Sequence, residues 1–192
     1  MANPLDFGPY HHKVRTPFDY YKFGLEFATV LIDTNNSKVS GQENIWKARE
    51  QVANGDNVVF LANHQSEGDP YAIDILFDWM VGVDRQFCEN LVFMAGDRVR
   101  EDPVVAPFSI GRNLLTVYSK KHINDVPDLR GKKLQHNRRT IAATSTLFNE
   151  GGRCVWFAPS GGRDRRSAKS GRVEISQFDA DAVEMMRITA EK

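Results

Sequence analysis

One histidine and one aspartate stand in a spacing that suits acid–base catalysis. His64 follows the apolar run Asn57–Asn63, which is rich in β-forming residues and predicts a buried strand, and Asp69 lies five positions after His64. Catalytic groups of open α/β sheets gather beyond the carboxyl ends of the strands. If the loop turns back, the Asp69 carboxylate accepts from one imidazole nitrogen while the other faces a substrate as general base. The plain alternative is that Asp69, placed before Pro70, only caps the next helix.

Two basic segments also follow predicted strands. Ser119–His122 (SKKH) ends the predicted strand Asn113–Ser119, and Pro159–Arg166 (PSGGRDRR) follows the predicted strand Arg153–Ala158. Cationic side chains and glycine amides suit an anion such as phosphate, although an ordinary polar turn or a solvated surface loop would have the same composition. Because the carboxyl ends of parallel strands meet at one edge of a sheet, we expect both segments to lie near His64.

Strands and helices alternate along the chain. Two helices are expected within residues 18–32 and 42–54, the second with Ile45, Trp46 and Val52 facing inward. Further elements are a helix from Asp69 to about Val81, a strand at Leu91–Ala95, a long helix at Leu134–Asn149 and a helix that reaches Met185–Lys192. The pattern predicts an α/β fold with a mixed, largely parallel sheet of about four strands flanked by helices. Residues 1–17 are expected to be a lead-in segment. Residues 18–192 are expected to form one domain, with N-terminal helices in 18–54 and a core in 55–192 that is truncated at its C-terminus.

Composition and motifs argue against several other classes of protein. The 192 residues carry 25 basic and 25 acidic side chains, and a net charge of zero is atypical of a nucleic-acid binder. No P-loop, metal-ligand spacing, signal peptide or membrane-spanning apolar run is present. The two cysteines, Cys88 and Cys154, indicate free thiols in a reducing compartment. Ser160 resembles the serine of a nucleophile elbow, yet no histidine follows it in the chain as such hydrolases require.

Six segments, in this order, carry a resemblance to a known family: PFDYY (Pro17–Tyr21), NHQSEGDP (Asn63–Pro70), AGDRV (Ala95–Val99), PFSIGRN (Pro107–Asn113), VYSKKH (Val117–His122) and APSGGRDR (Ala158–Arg165). Together they resemble the soluble, plastid-type glycerol-3-phosphate O-acyltransferases of plants, algae and related bacteria. The resemblance implies that His64 and Asp69 are catalytic and that Lys121, His122, Arg163 and Arg165 bind the substrate phosphate. It implies neither a cofactor nor a metal. Ser66 and Gly68 stand where plant members usually have Thr and Ala, which is a small departure.

The same resemblance implies transfer of a fatty acyl group from an acyl carrier protein thioester, or from acyl-coenzyme A, to the 1-hydroxyl of glycerol 3-phosphate. The expected location is the plastid stroma, or the cytoplasm for a bacterial protein. The family has a longer N-terminal helical domain and continues past Lys192. Two alternatives stay open, namely an inactive fragment that binds a phosphate ester and a serine hydrolase that uses Ser160. Contact with a membrane surface is also left open.

Overall fold

A five-stranded sheet lies at the centre of the computed structural model, which describes residues 8–96, 99, 102–120 and 122–191. Its strands are β1 (Tyr10–His11), β2 (Val58–Leu61), β3 (Val92–Ala95), β4 (Asn113–Thr116) and β5 (Cys154–Phe157). The helices are α1 (Tyr20–Thr29), α2 (Gln42–Ala53), α3 (Asp69–Ile75), α4 (Arg85–Asn90), α5 (Ala106–Ile110), α6 (Arg130–Glu150) and α7 (Ala180–Ala190). A π-helical turn, Leu76–Val81, continues α3, and a 3₁₀ turn, Pro127–Leu129, precedes α6. A separate hairpin consists of β6 (Arg165–Arg166) and β7 (Val173–Glu174).

The strand order of the central sheet is β1-β4-β3-β5-β2. Strands β2 to β5 run parallel, with Val58 opposite Cys154 and Val92 opposite Asn113, and only β1 is antiparallel. The predicted mixed, largely parallel sheet is therefore confirmed. Because the four parallel strands point the same way, the segments after β2, β4 and β5 all leave from one edge of the sheet.

Side chains alternate between the two faces of the sheet, and helices cover both. Phe93, Leu114 and Trp156 belong to a core on one face, which includes Phe87 of α4. The opposite core contains Leu115 and Val155 and is covered by α6 and α7. Strands buried on both faces appear in sequence as continuous apolar runs, which explains why β3, β4 and β5 are easily found in the sequence.

A buried ion pair between Arg112 and Asp74 connects the helices that lie beside the loop of His64 and Asp69. Arg112 and Asp74 are only 2% and 1% exposed, and Arg112 makes a two-pronged contact with the Asp74 carboxylate. The Tyr21 hydroxyl also donates to Asp74 at 2.8 Å, and the guanidinium lies 5.3 Å from the Tyr71 ring centre. The pair joins α1, α3 and the start of β4, and so holds in place the helix that begins at Asp69.

Several predictions differ from the structure. The lead-in segment contains β1, and α4 and α5 were not predicted at all. The strand β2 was expected to be buried, but it is an edge strand, so Val58, Val59 and Phe60 are half-buried and Leu61 is 43% exposed. Trp46 was expected to face inward, yet it is 43% exposed.

The residue of α2 that is buried is Ala48, at 4% exposure. Its small side chain allows close packing of the helix against its neighbours, whereas the large Trp46 ring lies at the surface. Helical spacing alone does not show which stripe of α2 faces the core.

Candidate active site

His64 and Asp69 lie in direct contact just beyond β2. The His64 Nδ1 atom is 2.8 Å from Asp69 Oδ2, and both side chains are about one-fifth exposed. The His64 ring stands edge-on to the Trp156 ring of β5, with 5.6 Å between the ring centres. No described residue forms a hydrogen bond with Nε2, so this nitrogen is available to a substrate. The predicted pairing of the two side chains is present in this geometry.

The Asp69 carboxylate is turned back into the loop that carries His64. Its Oδ2 also accepts from the Gln65 amide at 2.8 Å, and its Oδ1 accepts from the amide and hydroxyl of Ser66 at 2.9 and 2.8 Å. Burial by itself would raise the pKa of this carboxyl, but the hydrogen bonds from His64, Gln65 and Ser66 outweigh it and lower the pKa. An ionised Asp69 requires the proton of His64 on Nδ1 and leaves Nε2 as a base.

Asp69 does not cap the helix that it begins. The N-cap position belongs to Gly68, and no side chain accepts from the first turn of α3. Pro70 occupies an early helical position, where its missing N–H is tolerated. The alternative that Asp69 serves only as a cap is therefore wrong, and its hydrogen bonds all go to the His64 loop.

The loop after β5 lies against the His64 loop. Arg163 is paired with Glu67 at 3.4 Å, and the backbone amide of Asp164 donates to the His64 carbonyl at 2.7 Å. Arg165 lies in β6 and is exposed. Since β5 and β2 are neighbours in the sheet, the two loops meet directly. An anion held by Arg163 would therefore lie beside the histidine.

The loop after β4 reaches the same edge. The Ser119 hydroxyl is 3.4 Å from the Gly161 carbonyl, so the SKKH loop contacts the PSGGRDRR loop. His122 is 57% exposed, and its Nδ1 is 2.8 Å from Asp125. Lys121 lies outside the described residues. The loops converge as predicted, but no hydrogen bond or ion pair joins His122 to Arg163 or Arg165 in the described part of the chain.

Helix α6 fixes the SKKH loop through residues that we did not predict. Asn137 bonds both the amide and the carbonyl of Tyr118, at 2.8 and 2.9 Å. The Lys133 ammonium donates to the His122 carbonyl at 2.7 Å, and the Thr140 hydroxyl donates to the Thr116 carbonyl at 2.6 Å. Polar residues at positions 133, 137, 140 and 144 recur at helical spacing, which is the signal that could have identified this inward stripe.

Ser160 has no histidine partner among the described residues. Its hydroxyl donates to the nearby Gly162 carbonyl at 3.1 Å, within its own loop. This local contact does not favour a serine nucleophile, since an activated serine needs a base within hydrogen-bond reach. Within the described ranges, no group of three or more His, Cys, Asp or Glu side chains could hold a metal ion. None of the described helices is both long and apolar enough to cross a membrane.

A cavity of about 430 Å³ lies apart from these loops. It is bounded by α1, the end of α3 with its π-helical turn, and α4, and it is lined by Leu25, Ile75 and Trp79 among others. None of the predicted site residues that the structure describes lines it. Charged side chains in its wall are already engaged in ion pairs, as in the Arg85–Asp78 pair. The described site residues therefore lie outside this cavity, at the edge of the sheet.

The chain is similar to known proteins over nearly its whole length. Residues 36–190 match the family model described as Acyltransferase. Over 188 residues the chain is 43% identical to the chloroplastic glycerol-3-phosphate acyltransferase of Arabidopsis thaliana. The corresponding proteins of Cucurbita moschata and Spinacia oleracea are 43% and 41% identical over 187 residues. Each alignment covers 97% of this chain but only 39–41% of the relative, so the chain spans about two fifths of the length of these relatives.

Proposed function

The chain belongs to the acyltransferase family, and from this premise we propose that it transfers a fatty acyl group from a thioester to the 1-hydroxyl of glycerol 3-phosphate. The observation that carries the proposal is the 2.8 Å contact between His64 Nδ1 and Asp69, which leaves Nε2 as an available base. The names of the relatives support the choice of acceptor. The product is 1-acylglycerol 3-phosphate.

The proposed reaction begins with proton removal from the acceptor hydroxyl. An alcohol is a poor nucleophile at neutral pH, and His64 takes its proton at Nε2 as the oxygen attacks the thioester carbonyl. The tetrahedral intermediate then collapses, the carbon–sulfur bond breaks, and the proton on Nε2 passes to the leaving thiolate. Asp69 keeps the other proton on Nδ1 and stabilises the imidazolium. General-base catalysis of this kind contributes roughly 10²–10⁴ in rate.

The phosphate acts as a handle that positions the hydroxyl. Arg163 and Arg165 offer planar donor forks, and Lys121 and His122 complete the proposed phosphate site from the loop after β4. Binding energy from the phosphate is used to hold the 1-hydroxyl near His64, and such positioning supplies several kcal/mol of the barrier. The contact between Ser119 and Gly161, which joins the two loops, supports this site.

The proposed acyl donor is an acyl carrier protein thioester, with acyl-coenzyme A as a substitute. We place the protein in the plastid stroma because the relatives are named chloroplastic. The Cys88 and Cys154 thiols are both free and buried, which suits a reducing compartment.

The test is an assay of the purified chain with radiolabelled glycerol 3-phosphate and either palmitoyl carrier protein or palmitoyl-coenzyme A. We expect 1-acylglycerol 3-phosphate to form in step with thiol release. Binding of glycerol 3-phosphate without turnover would instead identify an inactive binding fragment. Fatty acid release that needs no acceptor, together with labelling of Ser160 by a fluorophosphonate probe, would identify a hydrolase.

A further inference from the structure

Asp164 is a buried carboxylate set between the two arginines of the proposed phosphate site. It is 5% exposed, whereas Arg163 is partly exposed and Arg165 is exposed. Burying a carboxylate is unfavourable unless it is well hydrogen-bonded, so the position of Asp164 requires an explanation. The resemblance to known acyltransferases assigned roles to its two neighbours and none to Asp164.

The contacts of Asp164 join three separate segments. Its Oδ2 accepts from the Asn63 side-chain amide at 3.2 Å, and its Oδ1 accepts from the Ser176 backbone amide at 2.9 Å. Its own backbone amide donates to the His64 carbonyl at 2.7 Å. The residue is thus bound to the end of the segment after β2, to His64 itself, and to the segment that follows the β6–β7 hairpin.

The Asp164 carboxyl group is ionised, which suits the hydrogen bonds that it accepts. The hydrogen bond from the Ser176 amide, with a further one from Asn63, holds the pKa of the Asp164 carboxyl below its usual range. The residue is therefore ionised at neutral pH, and both of its oxygens act as acceptors. Charged groups on the same two loops include Arg163, which pairs with Glu67, Arg165, which is exposed, and Asp69, which contacts His64.

We propose that Asp164 is a positioning residue that holds the histidine and the phosphate-binding arginines at a fixed separation. The inference rests on the proposed function, since it assumes that His64 and the arginines act on one substrate. Arg163 and Arg165 are the immediate neighbours of Asp164, and its amide is bonded to His64. A shift of Asp164 therefore moves the two arginines that bind the phosphate relative to His64. A misplacement of about 1 Å can reduce a rate by about 10²-fold, so this separation matters for catalysis.

The principal test compares Asp164→Ala with Asp164→Asn. Alanine removes both side-chain acceptors. Asparagine keeps a side-chain oxygen that accepts from the Ser176 amide. Its NH₂ group can donate to the Asn63 side-chain oxygen once the Asn63 amide group rotates by half a turn. We expect Asp164→Ala to lose about 10- to 100-fold in kcat/KM for glycerol 3-phosphate, and Asp164→Asn to stay within about fivefold of the wild type. The KM for the acyl donor should be unchanged in both variants.

A matched control is Asp19→Asn. The Asp19 carboxylate also accepts from a backbone amide, that of Lys22 at 2.9 Å, but it caps α1. It is expected to lower the melting temperature slightly and to leave both KM values unchanged. If Asp164→Ala does not fold, Asn63→Ala removes only one of the contacts and should raise the KM for glycerol 3-phosphate about three- to tenfold.

Direct binding separates failure of this inference from failure of the proposed function. Calorimetric titration of the wild type with glycerol 3-phosphate requires no turnover, and Asp164→Ala should weaken that binding at least about fivefold. If the wild type binds glycerol 3-phosphate but does not transfer acyl groups, the proposed function fails while the binding loss still supports the inference. A purely structural residue would lower the folded fraction with both KM values and the binding constant unchanged, and that result would overturn the inference.

Discussion

Replacing Asp69 by asparagine separates a catalytic role of this residue from a structural one. The carboxylate accepts two hydrogen bonds at each oxygen: His64 Nδ1 and the Gln65 amide at Oδ2, and the amide and hydroxyl of Ser66 at Oδ1. Asparagine has one acceptor oxygen and one donor NH₂ group. Whichever way it turns, the NH₂ group faces two groups that were donating to the carboxylate.

Each orientation of the introduced asparagine side chain has a different effect on the histidine. With NH₂ toward His64, the ring must accept at Nδ1 and carry its proton on Nε2, so it cannot act as a base. With oxygen toward His64, the tautomer is kept, but the negative charge that stabilises the imidazolium is gone. An aspartate-to-asparagine change in the serine-protease triad costs about 10⁴ in kcat through the wrong tautomer. We therefore expect Asp69→Asn to lower kcat by about 10²–10⁴.

The accompanying loss of stability should be modest. Hydrogen bonds to charged groups contribute roughly 1.5–3 kcal/mol each, but Gln65 and Ser66 are exposed and can bond to water instead. A net loss of about 1–3 kcal/mol in the free energy of unfolding is expected. The assay combines steady-state kinetics with urea denaturation of the same preparation. The matched control is Asp84→Asn, in a carboxylate that caps α4 by accepting from Phe87, and it should keep full activity.

Either of two results would contradict a catalytic role of Asp69. If Asp69→Asn retained kcat within about threefold of the wild type, the carboxylate would not orient the base. If kcat fell only in proportion to the folded fraction, Asp69 would act through the fold alone. The Asp84→Asn control guards against a general effect of losing one carboxylate.

Three further predictions concern the phosphate site, the buried ion pair and the cysteines. Arg163→Ala and Arg165→Ala should each raise the KM for glycerol 3-phosphate about 10- to 150-fold and leave the KM for the acyl donor unchanged. Arg187→Ala is the control and should change neither KM. An equal increase of KM for both substrates would contradict the assignment of these arginines to the phosphate. Asp74→Asn leaves Arg112 buried with a weakened partner and should cost about 3–5 kcal/mol in urea denaturation; a loss below about 1 kcal/mol would show that the pair does not support the fold. Burial raises the pKa of both thiols to about 12, so neither should react with a disulfide reagent at about pH 8 until the protein is unfolded, and rapid reaction of the folded protein would contradict their burial.

The sheet and the contact between His64 and Asp69 could be predicted because their signals are local. Strands β3, β4 and β5 are buried on both faces, and their apolar runs are visible without knowledge of their neighbours. The spacing of His64 and Asp69 is also local, since one loop brings the two together. Parallel strands then determine which edge of the sheet the basic loops share.

Other features depend on contacts between distant residues. The strand β1 has two residues and forms only because it pairs with β4, about a hundred positions away. The edge position of β2 follows from the order of the strands in the sheet, and the sequence of a single strand does not show that order. Helices α4 and α5, of six and five residues, are too short to show a helical period. The burial of Asp164 could not be predicted, because its contacts with Asn63 and Ser176 exist only in the fold.

The central claim is that His64 is the general base of acyl transfer, and the most direct measurement is kcat of His64→Ala beside direct binding of glycerol 3-phosphate. General-base catalysis contributes at least about 10²-fold, so we predict that kcat falls by that factor or more while the dissociation constant for glycerol 3-phosphate changes little. Retention of more than about a tenth of the wild-type kcat by this variant would contradict the account.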